Sequence, residues 1–312
     1  MISNIFGKTK PINFIIVFAF LFVLYGLVHF FLFDIVYAAE ELMIQLLLIV
    51  VLLFSIFVVD FIIKRNKLTA PNSFAILYYA LLITIFPETI TDHNAIICSF
   101  FLLLATRRLI SLRSLKEIKL KVFDATLWIL VASLFYQWAI LYLFLVFAAI
   151  YIYEPKNIRN WMVPIAGGFT FFMIAYCILI LAKNTDFLWA HYQFEFEFNT
   201  SYFKKWINSS KLVIYILVIL MVSIFAFLRL GKSGLGQIIT MRLIGISFVI
   251  GLIVKILSSS TGLYPIMLTF FPAVVFLTNY VEAIKKINIK EIVLISSVLV
   301  PFLIFISSLA LK

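Results

Sequence analysis

Eleven apolar stretches run through the 312-residue chain, and its Lys and Arg gather on every second connection between them. Crossing about 30 Å of hydrocarbon takes roughly 20 apolar residues in a helix, and segments near that length follow one another too closely to leave room for a water-soluble domain. Composition points the same way. Hydrophobic residues make up 65% of the chain and charged residues 12%, with a mean hydropathy of +1.17, whereas a soluble domain is about half apolar and about a quarter charged. In a bilayer, backbone polar groups are satisfied by helices or by closed barrels, and a barrel strand needs only about 10 residues. The chain is therefore predicted to be all-α: a polytopic integral membrane protein with about eleven transmembrane helices and a single domain over 1–312.

The predicted segments are 12–33, 42–63, 72–86, 93–109, 124–136, 139–153, 161–182, 212–228, 238–257, 264–281 and 292–311. The pair 124–136 and 139–153 is short, which fits either a hairpin that stops short of a full crossing or a single long buried helix. With a cytoplasmic N-terminus, 19 of the 25 Lys and Arg fall on the inner ends and loops, Arg107, Arg108, Arg113 and Lys116 among them. This positive-inside pattern predicts that the N-terminus is cytoplasmic and that the C-terminus lies on the opposite, outer face. The formal charge of +11 then serves attraction to anionic headgroups, and nucleic acid is not an expected partner. The first apolar run, about 20 residues, exceeds the 7–15 of a signal-peptide core. It is read as an uncleaved helix even though Val36-Tyr37-Ala38 resembles a cleavage site.

Cys98 and Cys177 lie in apolar segments without CxxC spacing, and both are read as small buried hydrophobes. No metal site, cofactor or phosphate-cradling glycine loop is predicted, nor an internal repeat of the kind that builds many transporters. The basic connection 110–123 has the spacing of an amphipathic helix on the inner leaflet. One outer loop is long, 183–211. Within it Phe194, Phe198, Tyr202 and Trp206 recur at helical spacing, which predicts an interfacial helix or compact loop with aromatics in the headgroup layer.

Groups suited to proton transfer collect on the outer side: eight of the 14 acids, and His29, His93 and His191. Asp34 follows the first helix so closely that it must stay at the membrane surface, where a carboxylate is costly unless paired or useful. Glu88, Asp92 and His93 form a second group in FPETITDHN, in which Asp92 or Asn94 can also act as a helix cap. Lys255, near the outer end of its segment, can snorkel to headgroups or hold a lipid phosphate, with Ser259 and Ser260 adding donors.

The opening IFGKTKPINF and the Phe-rich helix after it resemble an uncharacterised multispanning inner-membrane family of Flavobacteriia and other Bacteroidota, over the whole chain; that resemblance carries no activity. The layout also resembles the GT-C glycosyltransferases. An acid, Asp34, follows the first helix. FDATLWILVASLFYQWAILYLFLVFAAIYIYEP is similar to that fold's closely spaced short helices, and GLYPIMLTFFPAVVFL to its late Tyr- and Pro-bearing helix. The resemblance implies an outward site that uses a polyprenyl phosphate-linked sugar. Asp34 would be the catalytic acid or base, Glu88 or Asp92 the second acid, and Lys255 with Ser259 and Ser260 the lipid-phosphate site. The 183–211 loop, with His191, Glu195, Lys204 and Lys205, would cover the acceptor.

Two other functions fit the same sequence. One is a non-catalytic subunit of an envelope secretion, motility or lipid-handling complex, with a membrane protein partner bound through aromatic surfaces. The other is a transporter whose helices break at Pro164, Gly167, Gly168, Gly245 and Gly251.

Overall fold

A computed structural model describes residues 2–194, 206–229, 234–258 and 265–310, and all regular structure among them is helical. A short helix α1 (Ile2–Phe6) precedes α2 (Pro11–Gly26), which runs on as a π-helix over Leu27–Leu32. Then come α3 (Ala39–Arg65), α4 (Phe74–Ile85), the single turn α5 (Glu88–Thr91), α6 (His93–Ile110) and α7 (Ile118–Ser133). A 3-10 turn over Gln137–Tyr142 leads into α8 (Leu143–Tyr153), followed by α9 (Ile158–Leu181) and α10 (Phe187–His191). The last helices are α11 (Trp206–Arg229), α12 (Leu235–Leu257), α13 (Phe270–Ala283, entered by a 3-10 turn from Pro265) and α14 (Ile287–Ala310).

Local chemistry accounts for many of these boundaries. Pro11 starts α2 where its missing N–H costs nothing. Asn157 caps α9, accepting from the Arg159 N–H at 3.2 Å. Helix α3 opens with Glu40 and Glu41 and closes with Lys64 and Arg65, in the sense its dipole favours.

Eight of the described helical segments are long and apolar enough to cross a membrane, so the chain is an all-α, multi-pass membrane protein. Each of the other three predicted segments is also helical, but shorter. Helix α4 has 12 residues, about 18 Å at 1.5 Å per residue, less than the hydrocarbon thickness. It lies inside the bundle with nearly every side chain buried, where neighbouring helices replace lipid. The pair read as a hairpin or one long helix is a hairpin, turned at 134–136, after which the 3-10 turn Gln137–Tyr142 runs on into α8.

Two apolar cores organise the bundle. One is built from α2, α3, α4, α11, α13 and α14, around residues such as Leu52, Ile76 and Phe276. The other lies among α6, α7, α8 and α12, around Ala125, Ile129 and Val146. Helices α6 and α12 contribute to both. The span that contains α13 is the most interior, with 72% of its apolar window buried, whereas α9 and α14 sit at the rim with 17% each.

The structure corrects three expectations. Residues 110–123 form no separate surface helix: a 3-10 turn at Ser111–Ser114 is followed by left-handed Leu115 and Glu117, and Ile118–Phe123 are already the first turns of α7. Helices α9 and α12 run unbroken past Pro164, Gly167, Gly168, Gly245 and Gly251. Gly251 is instead a close-packing point, where an added Cβ would lie 2.8 Å from Thr269 Cγ2 and 2.9 Å from Tyr142 Oη. Cys98 is buried as expected, but Cys177 is exposed on the rim helix α9. In the 183–211 loop the described residues form a helical turn at Phe187–His191; most of the predicted aromatic stripe, Phe198 and Tyr202 included, lies outside the described residues.

Helix ends of like predicted side meet. At the basic end, Arg108 pairs with Asp124 at 2.9 Å, the Ser73 N–H donates to the Phe6 carbonyl at 2.8 Å, and Ser3 and Glu291 hydrogen-bond. The predicted outer ends converge at the opposite end, where the candidate site lies.

Candidate functional site

The site grows from the connection between α4 and α6. Pro87 follows the end of α4, and α5 adds one turn that carries Glu88. Asp92 then caps α6: its Oδ1 accepts from the Ala95 N–H at 3.0 Å, and its Oδ2 accepts from the Tyr136 hydroxyl at the end of α7. The cap reading of Asp92 is thus realised, with a tyrosine from a distant helix added to it.

Glu88 faces a cation that sequence reading had left at the edge of the outer loop. Lys211, in the second turn of α11, places its Nζ 3.3 Å from Glu88 Oε1, with both side chains about nine-tenths buried (9% exposed each). The same ammonium lies 5.8 Å from the centre of the Phe86 ring, within cation–π range. Lys255, from the outer end of α12, is 2% exposed and lies in the field of the Glu88 and Asp92 carboxylates. It does not snorkel to the surface; its charge is held inside the bundle. Removing an ammonium from water costs several kcal/mol, and the two carboxylates offset part of that cost. Four elements therefore bring two lysines and two acids into one buried, charge-balanced cluster.

A polar chain lies on the neighbouring side, through α2, α3 and α6. The Tyr25 hydroxyl donates to Gln45 Oε1 at 2.6 Å, which leaves the Gln45 amide N–H₂ facing His93 Nε2 at 3.0 Å. The amide can only donate, so His93 accepts at Nε2 and carries its proton on Nδ1. The π-helix turns His29 inward. Its ring stacks on Tyr25 at 4.0 Å, it is 1% exposed, and its Nδ1–H donates to the Tyr25 carbonyl at 2.8 Å. π-helical turns occur often at functional sites.

The other predicted residues are placed as follows. Asp34 is exposed just past the π-helix, with a left-handed φ of 49°; the carboxylates acting on Lys255 are those of Glu88 and Asp92. His191 donates from Nε2 to the Ser133 carbonyl at 2.8 Å, and the Tyr192 hydroxyl shares a hydrogen bond of 2.7 Å with Ser133 Oγ. His191 thus satisfies a carbonyl at the C-terminus of α7, a group the helix itself leaves open. Burial raises the pKa of the Tyr192 phenol, so it stays protonated in this contact. Ser259, Ser260, Glu195, Lys204 and Lys205 lie outside the described residues. No group of three or more metal-ligating side chains occurs among the described residues.

Sequence reading singled out His93 but missed Lys211, and missed Tyr25 and Gln45 as the partners that join His93 to the site. Lys211 did leave a signal, as the lone charge between Trp206 and Leu228; an isolated charge in an apolar helix marks a functional or paired position.

Fold and site together define a multi-pass helical membrane protein with a buried two-lysine, two-carboxylate cluster at one end of the bundle. No protein-family model, curated protein or solved structure matches the chain.

Proposed function

We propose that the protein is a GT-C-like glycosyltransferase that uses a polyprenyl-phosphate sugar on the outer face of a bacterial inner membrane. The observation that supports this reading is the convergence of Glu88 and Asp92 with Lys211 and Lys255 at the end of the bundle opposite the Lys- and Arg-rich loops. Positive-inside bias puts that end on the outer face, with the N-terminus cytoplasmic and the C-terminus periplasmic.

In this reading Glu88 is the general base. It takes the proton of an acceptor hydroxyl as that oxygen bonds to the sugar C1 and the C1–O bond to the lipid phosphate breaks. The polyprenyl phosphate leaves as an anion held by Lys211 and Lys255, and the proton passes from Glu88 to water. Asp92 fixes the α5–α6 corner through its cap and Tyr136. Asp34, exposed on the same end, is left to face the acceptor.

A non-catalytic envelope subunit is the second reading. It is favoured by the way the four buried charges balance one another, as a purely structural cluster would. The two readings part in one assay. Purified protein is given a panel of polyprenyl-phosphate hexoses with a water-soluble sugar acceptor, and release of polyprenyl phosphate is followed. The glycosyltransferase releases it, and Glu88→Gln lowers the rate by about 100-fold or more, the usual weight of a general base. No release with any donor, together with co-purification of a stoichiometric membrane protein partner, establishes the subunit.

A further inference from the structure

Lys211, the partner of Glu88, lines one end of a groove between helices. Helices α4 and α13 pack together as its floor, while α11 and α14 form its walls, α11 resting on α13 and α14 on α4. The cavity measures about 510 Å³. Its lining is apolar along most of its length, with Leu82 and Leu277 on the floor and Ile214, Val218 and Val300 on the walls. Ser210 and Lys211 line one end, and Val222 lies eleven residues further along the same wall. That distance is about 16 Å at 1.5 Å per residue, roughly half the hydrocarbon thickness. Pro301 also lines the groove, and having no N–H it cannot bond the Ser297 carbonyl one turn back.

An apolar trough half a bilayer deep, capped by a lysine, has the shape and charge of a seat for one long hydrocarbon chain ending in a phosphate. Lys211 belongs at once to this groove and to the acid cluster, and its 3.3 Å contact with Glu88 is longer than a tight charge-assisted bond of about 2.8 Å. We propose that the groove between α11 and α14 seats the prenyl chain of the donor lipid, and that the lipid phosphate draws Lys211 from Glu88 and so frees the carboxylate. The proposal rests on the transfer reading above and adds a control to it. The base is masked while the groove is empty and unmasked only when the lipid is seated.

The test uses full-length protein in phosphatidylcholine nanodiscs, with decaprenyl phosphate carrying no sugar as the probe. Bound lipid is counted by native mass spectrometry, and the Glu88 carboxylate is followed by infrared difference spectroscopy, with Glu88→Gln identifying its band. Filling the groove from either wall, by Ser297→Trp or by Val218→Trp, is expected to weaken binding about tenfold or more, as is Lys211→Gln. Adding the lipid shifts the Glu88 band in the wild type and not in Ser297→Trp. Dipalmitoyl phosphatidylglycerol at the same mole fraction does not displace the probe. Unchanged binding in both tryptophan variants, with each protein monodisperse, overturns the proposal; so does equal binding of phosphatidylglycerol. Sugar transfer at the wild-type rate in Ser297→Trp overturns the groove and leaves the transferase. Groove-dependent binding without transfer from any donor leaves the lipid seat and removes the transferase.

Discussion

Single residues in this protein carry more than one duty, and Asp92 shows it most plainly. One oxygen caps α6 and the other accepts from Tyr136, so the carboxylate ties the start of one helix to the end of another. Asp92→Ala removes the cap, worth about 1 kcal/mol, and leaves a buried hydroxyl without its acceptor, a further 1–3 kcal/mol or so. It is expected to lower the melting temperature in detergent clearly more than Asp34→Ala at the exposed loop, as measured by scanning fluorimetry. Equal melting temperatures for the two variants contradict this account. At this scale the sequence was informative about residue type and uninformative about pairing. FPETITDHN marked Glu88 and Asp92 because acids beside a helix start are conspicuous. Nothing local in it pointed to Lys211, 123 residues away, or to Tyr136, because those contacts exist only once the helices pack.

Elements tell a similar story. Apolar runs were legible because the bilayer demands length, and each predicted segment is met by a helix. Depth was not legible: α4 and a rim helix such as α14 are both apolar, yet one is surrounded by protein and the other is mostly exposed at the edge of the bundle. Hydrophobicity alone cannot separate those two solvents, because lipid tails are as apolar as a core. Glycines misled for a related reason. In α12, Gly251 lets the helix approach Tyr142 and Thr269, the use of small residues typical of membrane helix contacts. Overpacking such a contact costs about 1–3 kcal/mol. Gly251→Leu is expected to reduce the folded yield and thermal stability, while the same change at Gly168, where an added Cβ meets nothing within 4 Å, leaves both near wild type. Size-exclusion profiles of the two variants decide it.

For the whole molecule, the alternation of helix ends is internally consistent: Glu88, His191, Lys211 and Lys255 belong to one end, and Asp60, Asp124 and Glu291 to the other. Packing does not set which end faces the cytoplasm; the charge bias of the sequence predicts the end with Asp60, Asp124 and Glu291. Single cysteines at Asn184 and at Lys67, in a background without Cys98 and Cys177, test it with a membrane-impermeant maleimide applied to intact spheroplasts. Asn184→Cys is labelled and Lys67→Cys is protected until the cells are opened; the reverse pattern inverts the molecule and moves the acid cluster to the cytoplasmic side.

The π-helix at Leu27–Leu32 gives the first membrane helix one residue more than an α-helical path between the same two ends would hold. In an uninterrupted helix such as α3, losing a residue turns everything beyond it by about 100°, and Gln45 and Asp60 could not both keep their neighbours. The first helix has a place where that rotation is already absorbed. A chain shorter by one residue there closes the wide turn into an ordinary one, leaving Val17 and Leu21 facing the core and the outer loop where it was. The wide turn is therefore where the first membrane helix would absorb a change of length, and the group that such a change would reorient is the buried imidazole of His29.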